Sequence, residues 1–473
     1  MAFPIRNAMN AAAQKYKNYL LVVLLVIVTF NYVDRLALGI VLQSIKTDLH
    51  LTDTQLGLLG GIAFALFYAV MGIPIARWAD RGNRVAIISL TAVLWSAAVA
   101  LCGAATSFVQ LLLIRIGVAV GEAGCMPPAL SLIADSFARV ERPRAVARYM
   151  LGIPFSVIIG YFAAGWLNEF YGWRLTFVVI GLPGLALGAL AWLTLQEPRR
   201  MRAFPVTAAI PQPQAVSLPS AVPRINEVFA ALWANTTFRH LLVCWSVWYF
   251  FAYGLLQWTP AFFIRSHGLQ TGELGTWFAV ILGMGSTLAV YLGGELASRY
   301  AANNERLQLI GCAVSFVFFA VLNMCAFLAP NRYLAFATMG LAYFGANLVQ
   351  GPILSTIQTL VRPRMRAMSI ALVYMFANLV GMGLGPLAAG ALSDALRPWL
   401  GEESLRYALV MLCPGYLWAA WHVWRGSRTV MDDLVTAHID DEVELGTRQV
   451  TGGGTSLNHS TLAAGARGRS ASS

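Results

Sequence analysis

About twelve runs of some twenty apolar residues follow one another along this chain, separated by short polar turns. A helix needs about 20 such residues to cross the hydrocarbon core of a bilayer. The runs occupy 19–43, 56–78, 85–105, 108–133, 145–169, 174–195, 240–264, 273–297, 307–329, 332–360, 366–394 and 405–424. A soluble domain carries about 25% charged residues. Here only 12% are charged and 58% are hydrophobic, with a mean hydropathy of +0.64. The expected fold class is therefore an all-α membrane protein with twelve transmembrane helices.

The net charge of +11 raises the question of a nucleic acid partner, and its distribution answers it. Arg77, Arg81 and Arg84 follow span 2, Arg139, Arg142 and Arg144 follow span 4, and Arg199, Arg200 and Arg202 follow span 6. Arg299 and Arg306 follow span 8, and Arg362, Arg364 and Arg366 follow span 10. Basic loops stay cytoplasmic, so both termini are expected in the cytoplasm of a multi-pass inner-membrane protein. The basic charge then reflects topology, and no nucleic acid partner is expected. The N-terminus lacks a short apolar core with a small-residue cleavage site, so span 1 is read as its own signal anchor. All six cysteines lie in the spans and read as packing residues. The six histidines lack ligand spacing, so no metal is expected. Neither a phosphate-binding Gly-Lys-Ser/Thr loop nor a Gly-x-Ser-x-Gly nucleophile motif is present. No enzymatic activity and no cofactor are expected.

A stretch rich in Pro, Ala, Val and Ser divides the spans six and six. The expected organisation is a cytoplasmic N-terminus at 1–18, a six-helix bundle at 19–196 and a cytoplasmic linker at 197–238. A second six-helix bundle follows at 239–425, then a disordered cytoplasmic tail at 426–473. The halves read as duplicates. Gly160-Tyr161-Phe162-Ala163-Ala164-Gly165 matches Gly385-Pro386-Leu387-Ala388-Ala389-Gly390, and Arg142-Pro143-Arg144-Ala145 matches Arg364-Met365-Arg366-Ala367. Both offsets are about 220–225 residues, as for repeats related by an axis along the membrane normal.

Four charges interrupt the apolar spans: Asp34 and Arg35 in span 1, Arg115 and Glu122 in span 4. An ionisable side chain at mid-bilayer costs roughly 2.5–3.5 kcal/mol on insertion scales, and such residues mark a substrate or proton pathway by default. Arg115 and Glu122 are seven residues apart, close to two helical turns, so they share a face about 10 Å apart along the axis.

The arrangement resembles the major facilitator superfamily. Ala76-Arg77-Trp78-Ala79-Asp80-Arg81-Gly82-Asn83-Arg84 is similar to that superfamily's signature after its second helix, with Ala76 and Asn83 replacing the usual glycines. The second-half copy is Gly294-Glu295-Leu296-Ala297-Ser298-Arg299, where Ser298 replaces an acid and implies a weaker second gate. Within the superfamily, Asn31-Tyr32-Val33-Asp34-Arg35, Gly121-Glu122-Ala123-Gly124, Ile133-Ala134-Asp135-Ser136-Phe137, Arg142 and Gly160-Tyr161 resemble the spinster-type transporters. Organic anion symporters share the first two segments but usually carry Trp-Phe-Pro near the end of span 4. The resemblance implies two pseudo-symmetric six-helix bundles around a central cavity lined by spans 1 and 4. It implies secondary transport by alternating access.

In that frame Asp34 and Glu122 are expected to exchange protons while Arg115 alternates between pairing with them and binding an anion. The competing reading is a static ion-pair network that only fixes helix packing. Arg35 either faces the cavity or reaches toward an adjacent helix. Asp80, Arg81, Arg84, Asp135 and Arg142 are expected to form a cytoplasmic latch, against the alternative of topology anchoring for the arginines. Cavity-lining candidates are Asn31, Tyr32, Tyr161, Tyr249, Tyr253, Gln257, Asn347, Gln350, Tyr374 and Asn378. Tyr249, Tyr253 and Gln257 recur every four residues on one face of span 7; an interfacial aromatic belt is the alternative for that span. The expected cargo is an amphipathic organic anion or lysolipid-like molecule, exported with proton coupling by a monomer among membrane lipids. Uptake of a small sugar acid-like anion, and a non-transporting sensor, are the alternatives.

Overall fold

The computed structural model describes residues 2–138, 140–198, 225–301, 304–361 and 365–452, and among them there is no strand. In the N-terminal half, α1 (Ala2–Leu49) is followed by α2 (Asp53–Gly60) and α3 (Ile62–Arg81), bent at Gly61. Next come α4 (Arg84–Cys102), then α5 (Phe108–Glu122) and α6 (Met126–Ser136), interrupted by a turn ahead of Pro127 and Pro128. The half closes with α7 (Arg142–Met150) and α8 (Gly152–Thr194).

The C-terminal half begins with α9 (Ile225–Ala234) and α10 (Thr236–His267). Then α11 (Thr271–Phe278) and α12 (Gly285–Tyr300) are joined by a π-helical segment, Ala279–Met284. After α13 (Glu305–Leu328) come α14 (Arg332–Leu348) and α15 (Gln350–Thr359). A second π-helical segment, Asn378–Met382, links α16 (Arg366–Ala377) to α17 (Gly383–Leu400), and α18 (Ser404–Leu412) and α19 (Gly415–Gly452) complete the chain. Polar side chains set the starts. Thr52 forms a capping box with Gln55, and Asn83, Ser107, Asn235, Asn304 and Asn331 each accept a first-turn amide.

Nine helical segments of the described residues are long and apolar enough to cross a membrane. Two of them reverse direction and supply two passes each. Within α8, Asn168 Nδ2 bonds Ser44 at 3.0 Å, whereas Thr194 Oγ1 meets Tyr19 at 2.7 Å. The second leg of α8 thus runs back along α1. The break is Gly172, at φ 75° and ψ 168°, a conformation that favours glycine. The other reversal lies at Gly401 (φ 57°), after which α19 returns along α10 with Thr429 at 2.6 Å from Thr237.

Two segments differ from the sequence-based reading. Residues 426–452, expected to be disordered, continue α19. Val430 and Leu434 are buried, and Asp433 accepts the Thr237 amide at 2.7 Å, which caps α10 and anchors the extension. The linker contains a helix at α9, and α10 begins at Thr236, inside the range assigned to the linker. The topology anchors Arg139, Arg199, Arg200, Arg202, Arg362 and Arg364, and most of the linker, lie outside the described residues, as do the side chains of Ser298 and Arg366.

The halves meet along α1 with α10, α2–α3 with α17, and α8 with α11. Hydrogen bonds across this seam, including Arg265 to Gln43 and Asp53, Asn168 to Thr271 and Thr54 to Asp394, lie at the end of the bundle far from the chain termini.

Candidate functional site

The four charges of spans 1 and 4 come together midway along the N-terminal half. Asp34, Arg115 and Glu122 are 1%, 2% and 0% exposed. Arg115 Nη1 donates to Asp34 Oδ2 at 3.0 Å. Arg35 Nε donates to Glu122 Oε2 at 2.5 Å, and its Nη2 also contacts that oxygen. Neighbours on a helix point to different faces, so Asp34 and Arg35 reach different residues of α5. The result is two one-to-one pairs summing to zero charge. Arg35 therefore does both things the sequence left open: it lines a cavity and ties α1 to α5.

Aromatic rings complete the setting. The Arg35 guanidinium lies 4.7 Å from the Tyr32 and Phe64 ring centres and 4.8 Å from that of Tyr68, and the Arg115 guanidinium lies 5.3 Å from that of Phe64. Each desolvated cation–ring contact is worth up to about 2 kcal/mol. Phe64 and Tyr68, absent from the sequence-based candidates, stack on each other with centres 5.9 Å apart. Asp34 Oδ1, Glu122 Oε1, Arg115 Nε, Asn31 Nδ2 and Gln257 Nε2 are buried without a hydrogen-bond partner among the described residues. Leaving such atoms unmet costs about 1–3 kcal/mol each.

A cavity of about 220 Å³ touches Tyr32, Arg35, Phe64 and Arg115 on one side and Tyr161, Tyr253 and Gln257 on others. A second, of about 230 Å³, lies within the C-terminal half among Trp248, Tyr249, Asn323, Tyr343, Asn347, Gln350 and Tyr416. Tyr253 and Leu256 wall both. In the second cavity Gln350 Nε2 donates to Asn347 Oδ1 at 2.9 Å, and Asn347 Nδ2 donates to Ser286 Oγ at 3.2 Å. The face carrying Tyr249, Tyr253 and Gln257 thus borders the interior. Tyr374 instead packs edge-on against Trp245 and Tyr249, and Asn378 opens a π-helical segment; neither lines these two cavities.

Of the residues expected in a cytoplasmic latch, Arg84 and Asp135 come together. Arg84 is fully buried and bonds Asp135 Oδ2 at 2.6 Å and the Ser131 carbonyl at 3.1 Å, and it also pairs with Glu197. It ties α4 to α6 and to the segment after α8, all within one half. Glu197 was not singled out in the sequence, where it sits among basic residues at the linker boundary. Arg142 bonds the Phe137 carbonyl at the end of α6, while Asp80 and Arg81 are exposed at the end of α3.

The far end holds a cluster that sequence reasoning missed. The Asp53 carboxylate, 1% exposed, accepts from Lys46 at 2.6 Å, from Arg265 at 2.7 and 2.8 Å and from Ser393 at 2.7 Å. Asp394 accepts the backbone amides of Asp53 and Thr54. The signal available was the Thr52-x-x-Gln55 capping box, which marks a helix start but not its distant partners.

The fold and this buried charge set define a membrane transporter, and the chain belongs to the major facilitator superfamily, whose model matches residues 24–386. It is similar to an MFS-type efflux pump of Mycolicibacterium smegmatis, with 32% identity over 418 residues, 87% of this chain and 93% of the relative. It is 26% identical over 434 residues to protein spinster homolog 1 of Xenopus tropicalis, covering 86% of this chain and 80% of that one. Among solved structures, a bacterial homologue of the human lysosomal transporter spinster, inward-facing and unoccupied, superposes with a TM-score of 0.78 at 30% identity, covering 88% of this chain and 98% of that one. The spinster-type resemblance holds at the level of sequence and fold.

Proposed function

We propose that this chain is a proton-coupled secondary transporter of an amphipathic organic anion or lysolipid-like molecule, working as a monomer in the inner membrane with both termini in the cytoplasm. One observation carries the reading: the Arg35 and Arg115 guanidiniums each already hold one carboxylate, at the wall of a cavity. An entering anion competes with Asp34 or Glu122 for an arginine. A buried carboxylate stripped of its cation favours its protonated form. Anion and proton therefore bind with positive linkage and travel together, in the direction set by their combined gradients. Under this linkage the export expected from the sequence draws on the substrate's own gradient. The aromatic cavity of the other half receives the remainder of the molecule, and its size and rings suit an apolar or planar group.

The second reading, uptake of a small sugar acid, draws on the amides of Asn323, Asn347 and Gln350 in that cavity. A relative of 25% identity is named a probable L-galactonate transporter of Escherichia coli. Purified protein in weakly buffered detergent, titrated with lysophospholipids, sphingoid bases and sugar acids, separates these readings. An amphiphilic anion that binds and draws about one proton from solution, with uptake lost in Glu122→Gln, is the expected result. Binding without proton uptake in the wild type would overturn the coupling, and binding of sugar acids alone would overturn the substrate class.

A further inference from the structure

The two seams α2–α17 and α8–α11 are built on one plan. Across the first, Asp394 Oδ2 accepts the Thr54 amide at 2.7 Å, and Oδ1 accepts that of Asp53 at 3.0 Å. Across the second, Glu169 Oε2 accepts the Gly272 amide at 2.7 Å. Thr54 and Gly272 each hold the second position of their helix, where the amide has no intrahelical acceptor. Gln270, which precedes α11, supplies no side-chain cap. In both seams the opposite half supplies a carboxylate that accepts a first-turn amide, at α2 in addition to the Thr52–Gln55 capping box.

The sequence offsets agree. Glu169 and Asp394 are 225 residues apart, as are Gly165 and Gly390, and Tyr161 and Pro386. Thr54 and Gly272 are 218 apart, as are Asp53 and Thr271, and Gly57 and Gly275. The packing follows the same pairing. Gly390 lies against the Asp53 carbonyl and Gly165 against that of Thr271, while Gly57 lies against the Pro386 carbonyl and Gly275 against that of Tyr161. A Cβ at any of these four glycines would overlap the carbonyl it faces. The backbones approach closely enough for a short acidic side chain to reach across.

We infer that Glu169 and Asp394 are a symmetry-related pair of gate residues that hold the far end closed by capping helices of the opposite half. Both are positioning residues. When the halves part at this end, each carboxylate returns to water and each helix start loses one first-turn acceptor and the charge that complements its dipole. The pair therefore biases the molecule toward the far-end-closed state. The inference rests on alternating access and is independent of the proposed cargo and of proton coupling.

Spin labels at Ala104→Cys and Glu402→Cys, both exposed at the far end, in a Cys325→Ala background, report the separation of the halves there without substrate. One short distance is expected for the otherwise native chain. Glu169→Ala and Asp394→Ala should each move the closed-to-open ratio toward open by about fivefold, the usual effect of losing a cap, and the double variant by about twenty-five-fold. Arg174→Ala breaks a far-end ion pair with Asp48 inside one half and should leave the distances unchanged. Asp394→Asn, which keeps one acceptor, should give a smaller shift and serves if the alanine variant does not fold. An unchanged distribution in monodisperse Glu169→Ala/Asp394→Ala protein would overturn the gate. A shift confined to the Asp394 variants would overturn its two-sidedness. Neither result would touch the charge pairs, which these variants leave intact.

Discussion

The two halves share an architecture but divide the chemistry. Midway through the bundle, the N-terminal half carries a buried arginine, a partly buried one and two buried carboxylates. At the matching depth the C-terminal half offers tyrosines, tryptophan, asparagines and a glutamine. Duplication supplied the same helices twice. Their divergence put charge on one side and neutral polar and aromatic side chains on the other. A neutral wall can bind a substrate body without competing for the arginines. The charged half, in turn, settles its own account internally, because every buried guanidinium meets a carboxylate of the same half.

The largest effect that could break this comparison comes from Arg115→Ala. It strands Asp34, and removing one partner of a buried pair costs about 3–5 kcal/mol. A fall in melting temperature and loss of anion-induced stabilisation are expected, whereas Asp34→Asn/Arg115→Gln should recover part of the stability. An additive double variant would show that the two residues do not act as a pair. Next, Glu122→Gln should flatten the pH dependence of transport in liposomes while substrate counterflow persists. A pH profile that keeps its wild-type shape would return the quartet to a packing role.

On the other side, Asn347→Ala and Tyr253→Phe should weaken substrate binding by about tenfold or less, the scale of one neutral hydrogen bond, without altering its pH dependence. If either moves the pH profile, the division between halves fails. The smallest effect belongs to the surface. Lys17 bonds Glu141 at 2.9 Å, and that bond holds the Glu141 carboxyl below the usual carboxylate range. Its contribution is present above the ordinary carboxylate pKa and is lost as the pH falls through the depressed value. With both groups partly in water, Lys17→Ala should leave the melting temperature at neutral pH within error.

Much of the site was legible because the bilayer makes it so. Asp34, Arg35, Arg115 and Glu122 stood out as charges in apolar runs, and Tyr249, Tyr253 and Gln257 as one face of a helix. Their partners were not legible. Arg115 was expected to serve both carboxylates, yet it holds Asp34 while Arg35 holds Glu122. The choice depends on how α1 and α5 are rotated and staggered, which side-chain packing fixes. The Phe64 and Tyr68 rings were not singled out, since nothing local distinguishes a ring beside a guanidinium from one facing lipid. Residues 426–452 were misjudged for a related reason: their polar composition reads as a tail, while a cap supplied to α10 and two buried apolar side chains hold the segment's start in place.

By itself the sequence determined the class of molecule, the internal repeat and the half that carries charge. Those follow from the length of apolar runs, the cost of charge in hydrocarbon and residue offsets, all of which are local or additive. Tertiary structure alone decided the pairing of the four charges, the Asp53 cluster and the crossed caps of Glu169 and Asp394. Asp53 and Asp394 lie 341 residues apart, and only the packing of one half against the other brings a carboxylate of one to the helix start of the other.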